Sequence, residues 1–188
     1  MKSWRGWGVG VAVSMVVLAG TASAAVDAKS KPVPTAKYAK TVCGLYGGVT
    51  DRVSEFIDAY NQDTSSVDPV EFHGQVVELT ESLLDDIASA QTKLKKSRPD
   101  LDDGKQIAKL FVNGLKNLHT EVSDALETFR AADPTGVAFQ ADISMFEVTI
   151  NLLDVNRSDP FRELEDQDLL QAFGDEKSCD DVVTIFGG

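Results

Sequence analysis

His73 and His119 are the only histidines among the 188 residues of this chain, and each stands alone. Neither has a second histidine one helical turn away and no H-E-x-x-H occurs, so a transition-metal centre would have to be assembled across elements. His73 falls on an apolar helical stripe, where a hydrogen-bonded place at the core margin is expected; His119 lies beside another stripe, where a solvated place is expected. Nucleophile motifs of the G-x-S-x-G, S-x-x-K and P-loop types are missing, and a Ser-His-Asp triad would need one of those two histidines. The paired acids Asp85-Asp86, Asp102-Asp103 and Asp180-Asp181 are sequence neighbours. On a helix such neighbours diverge by about 100°, so they do not share a proton site. No catalytic residue, resident metal or cofactor is assigned, and a non-enzymatic protein is expected.

One stretch resembles a calcium loop. Asp154, Asn156 and Ser158 stand at its positions 1, 3 and 5 and Glu165 at position 12, the spacing that hard oxygen ligands require. Position 6, which needs glycine, is Asp159, and Pro160 after it disfavours the turn. Arg157 and Arg162 add positive charge beside the supposed ion. The preferred expectation is that Ser158 or Asp159 caps a helix whose first turn holds Pro160.

The two cysteines, Cys43 and Cys179, take their meaning from where the chain goes. Residues 1–24 open with Lys2 and Arg5, continue with an apolar run from Val9 to Ala19 and close on Ala22-Ser23-Ala24. That is the layout of a secretory signal peptide cleaved after Ala24, an uncleaved anchor being the alternative. No later segment has the length of a stop-transfer span, so no stable membrane anchor is expected after cleavage. An even pair of cysteines in an oxidising compartment predicts a Cys43–Cys179 disulfide. Closing nearly the whole domain, it restricts the unfolded chain by roughly 5 kcal/mol on the chain-entropy account.

Cys43 sits in TVCGLYGGVTDRVSEFIDAY, residues 41–60, whose helical period is interrupted by Gly44, Gly47 and Gly48. Each glycine weakens a helix by roughly 0.5–1 kcal/mol relative to alanine, so something should compensate. Gly44 and Gly48 lie one turn apart, which predicts close packing of the C-terminal segment that Cys179 anchors. A ligand groove beside Gly44, Tyr46 and Gly47 is the alternative.

The elements follow from apolar spacing. Residues 25–35, AVDAKSKPVPT, carry two prolines and no apolar period and are predicted to be a flexible linker. Tyr38, Val42, Leu45, Val49, Val53 and Phe56 then recur at helical steps. A second helix starts at Asp68-Pro69-Val70-Glu71, a capping box with proline at the first position, and stops at the cationic run before Pro99. A third starts near Asp102 or Asp103 and ends before Asp133-Pro134. A fourth carries Phe139, Ile143, Phe146, Ile150 and Leu153, and a short fifth follows Pro160 and ends at Gly174. The only β-like run is Val182 to Phe186. Residues 36–188 are therefore predicted to form one all-α domain: an antiparallel four-helix bundle, closed at one end by the fifth helix and the disulfide.

Charge limits the partners. Loss of Lys2 and Arg5 with the leader takes the formal charge of −12 to −14, which argues against nucleic acid. Residues 154–181 hold ten acids and three bases, half of that net charge. Such a surface suits solubility or docking of a cationic partner.

A leader, a cysteine opening the first helix, helices joined through Arg98-Pro99-Asp100 and a second cysteine near the end resemble the small exported helical proteins of actinomycete-type bacteria. The resemblance implies a secreted bacterial helical domain and carries no catalytic residue with it. The expected role is binding or structural, toward an unknown protein or small ligand at the cell exterior. The alternative is a small-ligand carrier or sensor with an apolar pocket between helices.

Overall fold

The computed structural model describes residues 29–61, 68–153, 160–161 and 163–180. Among them the chain is mostly helical, in the order β1 (Lys31–Val33), α1 (Thr35–Asn61), α2 (Pro69–Leu94), β2 (Ser97–Pro99), α3 (Gly104–Arg130), α4 (Phe139–Leu153), α5 (Gln167–Asp175) and a 3-10 turn at Lys177–Cys179.

Local chemistry sets most of the boundaries. Asp68 caps α2 by accepting from the backbone N–H groups of Val70 and Glu71, and Pro69 takes the first turn. The reciprocal half of the expected capping box is replaced, because Glu71 Oε1 accepts from Gln75 Nε2 at 3.3 Å. Asp103 precedes α3 without a side-chain cap, its carbonyl accepting from the amides of Gln106 and Ile107 instead. Between α3 and α4 the Asp133 carboxylate accepts from both the amide and the hydroxyl of Thr135. Those bonds hold its pKa below the usual carboxylate value.

Two expectations fail at the edges. Residues 31–33 are not linker: β1 pairs in parallel with β2, Pro32 opposite Arg98 and Val33 opposite Pro99. The pairing is extended by Lys31 N–H to Lys96 O and Asp100 N–H to Val33 O, so the first extended residues are clipped onto the α2–α3 connection. The fifth helix starts later than expected, at Gln167, because the Asp166 carboxylate accepts from Leu169 N–H and begins it there. Pro160 lies in a turn before it, and Phe161 and Leu164 enter the core from outside any helix. Ser158, Asp159 and the run Val182–Phe186 lie outside the described residues.

His73, near the start of α2, meets Phe129, near the end of α3, so these two helices run antiparallel. The core divides along them. One cluster joins α1, α2, α3 and α5 around Phe111, whose ring meets Tyr38, Tyr46, Phe161 and Phe173 at centroid distances of 5.1–6.2 Å. The second lies at the other end of α2 and α3, where Phe72, Val76, Ala125 and Phe129 receive Phe139 and Phe146 of α4. Edge-on and tilted ring pairs each add about 0.5–1.5 kcal/mol beyond area burial, so both clusters fix geometry as well as exclude water.

Candidate functional site

The disulfide is the firmest of the sequence-predicted features. Cys43 and Cys179 are joined with Cα atoms 5.0 Å apart across a separation of 136 residues, and both are fully buried. The bond ties the third turn of α1 to the 3-10 turn that follows α5, and Glu176 caps that turn through Ser178.

The glycines of α1 do not serve the purpose expected of them. Gly44 and Gly48 are exposed, and a Cβ added at either meets nothing within 4 Å. The close-packing expectation therefore fails there: Cys179 reaches α1 through the buried Cys43 side of the helix, and the glycines lie on the solvent side. The close approach occurs elsewhere. A Cβ on Gly104 would stand 2.1 Å from Pro99 O, because β2 folds directly over the start of α3. Tyr46 is buried, its hydroxyl donating to Phe111 O at 2.8 Å, so its polar end is spent inside the core rather than offered to a groove.

His73 is half-buried and its Nε2 lies 3.0 Å from Phe129 O. Since a carbonyl only accepts, the proton sits on that nitrogen. Its ring stacks on Phe129 with centroids 4.9 Å apart, a core-margin role that closes the end of α3. His119 is partly exposed. Among the described residues no group of three His, Cys, Asp or Glu side chains could hold a metal. Asp154, Asn156 and Ser158 of the calcium-like stretch lie outside the described residues, and Glu165 is exposed.

Two surface features emerge that the sequence reading did not single out. On α4, Phe139, Ile143 and Phe146 face the core, while Ala141, Met145 and Val148, on the opposite side, are exposed. Met145 keeps 64% of its surface, Val148 keeps 51% and Val137, just before the helix, is fully exposed. Elsewhere, Tyr38 Oη, Ser30 Oγ and Arg98 Nε are buried without a hydrogen-bond partner among the described residues. Burial raises the Tyr38 phenol far above its ordinary value. No described helix is long and apolar enough to cross a membrane.

Comparison with protein-family models, with curated proteins and with solved structures finds no match.

Proposed function

We propose that this protein is an exported, non-enzymatic helical bundle that docks a cationic, partly apolar protein segment on the outer face of α4. The observation that carries the reading is the exposed stripe Ala141, Met145 and Val148 on a helix whose opposite side packs against the core through Phe139, Ile143 and Phe146. A methionine at the centre of such a stripe suits an adaptable apolar contact. The charge of the partner follows from the surroundings: residues 131–153 contain three acids and no base, and the neighbouring Arg130 is paired with Glu81, so an approaching cation meets net attraction.

The carrier alternative has less support. Its pocket would lie beside Tyr46, and that space holds the interlocked rings of Tyr46, Phe111 and Phe161. For the scaffold, the finer arrangement we propose is an antiparallel four-helix bundle of α1 to α4, with α5 and the disulfide closing the α1 side. The successive packing of α1 on α2, α2 on α3 and α3 on α4 supports it.

The test is capture from the envelope fraction of the producing cells by the immobilised protein and by a Met145→Glu/Val148→Glu variant. A partner retained by the first, released by salt and lost with the second is the expected result. Equal retention by both would refute the α4 face as the docking surface.

A further inference from the structure

The strand pairing does something to charge that neither segment does alone. Residues 29–40, KSKPVPTAKYAK, and residues 93–98, KLKKSR, each contain four cations and no acid, and β1 against β2 lays one beside the other. Eight of the 18 cationic residues of an otherwise acidic chain are thereby gathered at one end. Lys31, Lys37, Lys40, Lys93 and Lys96 are exposed. Asp100, Asp102 and Asp103 at the same end offset part of this charge and Lys105 follows them; Asp175, Glu176 and Asp180, with Lys177 among them, are brought against α1 beyond Lys40 by the Cys43–Cys179 bond and border the cluster on that side. The positive end of α1 points the same way and has no acid in its first turn to neutralise it. Within the cluster Arg98 Nε and Ser30 Oγ are buried and have no hydrogen-bond partner among the described residues. The α4 face lies toward the far end of α3, a helix of 27 residues, about 40 Å long by its rise.

From this we propose that the β1–β2 clip is a basic pole that docks reversibly on the anionic headgroups of a phospholipid bilayer. Its cations are lysines spread over two strands and two helix ends, an array suited to many phosphates in a plane rather than to one enclosed anion. The route of the chain favours the same occupant. The apolar run Val9–Ala19 lies 12 residues before Lys31, a stretch that reaches at most about 40 Å when extended. While that run is in a bilayer the connecting stretch enters the fold at the basic pole, and α4 follows the opposite end of α3. The proposal is independent of the α4 reading, which stands or falls on its own test.

The experiment is co-sedimentation of the exported chain with vesicles of phosphatidylcholine containing roughly a third phosphatidylglycerol, against pure phosphatidylcholine. Two charge-matched variants are compared, Lys31→Gln/Lys96→Gln at the pole and Arg52→Gln/Arg130→Gln away from it, with circular dichroism as the check of folding. Binding should be confined to the anionic vesicles and lost at roughly 1 M salt, where the screening length falls to about 3 Å. It should drop about tenfold or more in the pole variant, and by less than about twofold in the other. Absence of binding, equal binding to both vesicle types, or equal loss in both variants would overturn the proposal. Capture of soluble polyphosphate without vesicle binding would also overturn it, making the pole a site for free polyanions.

Discussion

Alanine at three glycines should move stability in opposite directions, and the sign at each follows from what a Cβ would meet. At Gly44 and Gly48 a Cβ enters open space, and neither backbone has a positive φ. Alanine there keeps all existing contacts and removes the entropic penalty of glycine in a helix, a gain of roughly 0.5–1 kcal/mol at each site. At Gly104 the added carbon would lie 2.1 Å from Pro99 O and 3.2 Å from Pro99 C. Both are backbone atoms, so β2 would have to retreat by more than about 1 Å to restore van der Waals separation. Pro99 is paired with Val33, and the movement would strain the whole clip. A loss of about 1–3 kcal/mol is expected, the range for overpacking. Urea unfolding followed by the helical circular dichroism signal measures all three, and with an unchanged slope the midpoint for Gly44→Ala should rise by roughly 0.3 M. A stabilised Gly104→Ala would refute the steric account of the clip. A destabilised Gly44→Ala would mean that the solvent side of α1 is covered.

Removing the disulfide by Cys43→Ala/Cys179→Ala should cost about 5 kcal/mol on the chain-entropy account, and a loss under about 1 kcal/mol in the same unfolding assay would contradict the staple role. Tyr38→Phe should stabilise the fold by about 1–3 kcal/mol, since it removes a buried hydroxyl that has no partner among the described residues; destabilisation would show that the hydroxyl is satisfied. The pH dependence has a definite sign: the Tyr38 pKa is raised by folding, so its contribution is complete below the ordinary phenol value of about 10 and is lost as pH climbs beyond it. Stability curves of wild type and Tyr38→Phe should therefore converge toward neutral pH in slope and diverge in alkali, with the wild type falling faster.

Much of the helical layout could be read from the residues because the relevant physics is local. Asp68-Pro69 marks the start of α2 and Phe139, Ile143 and Phe146 mark the inward face of α4 through spacing alone. The disulfide was legible too, from an even cysteine count joined to the export expected of the first 24 residues. What was not legible depends on contacts between distant segments. Nothing in KPV or SRP announces a strand, since each is three residues long and contains proline, and they form one only by pairing with each other. The basic pole is hidden for the same reason, its halves being separated by most of α1 and most of α2. The close approach at Gly104 is invisible in the sequence because the Pro99 carbonyl that it accommodates belongs to that clip. Gly44 and Gly48 misled because periodicity says which residues share a face and not what covers it. The late start of α5 shows competition between neighbouring caps: Asp166 holds Leu169 N–H, and the earlier Pro160 signal goes to a turn.

The docking face on α4 is the central claim, and nuclear magnetic resonance tests it most directly. An isotope-labelled sample would be titrated with an 18-residue Leu/Lys amphipathic helical peptide, about 27 Å long and so a match for more than the length of α4. The account predicts chemical-shift changes centred on Ala141, Met145 and Val148, shrinking as salt rises and abolished by Met145→Glu/Val148→Glu. Changes spread evenly over the acidic residues of 163–180, or none at all on α4, would contradict it.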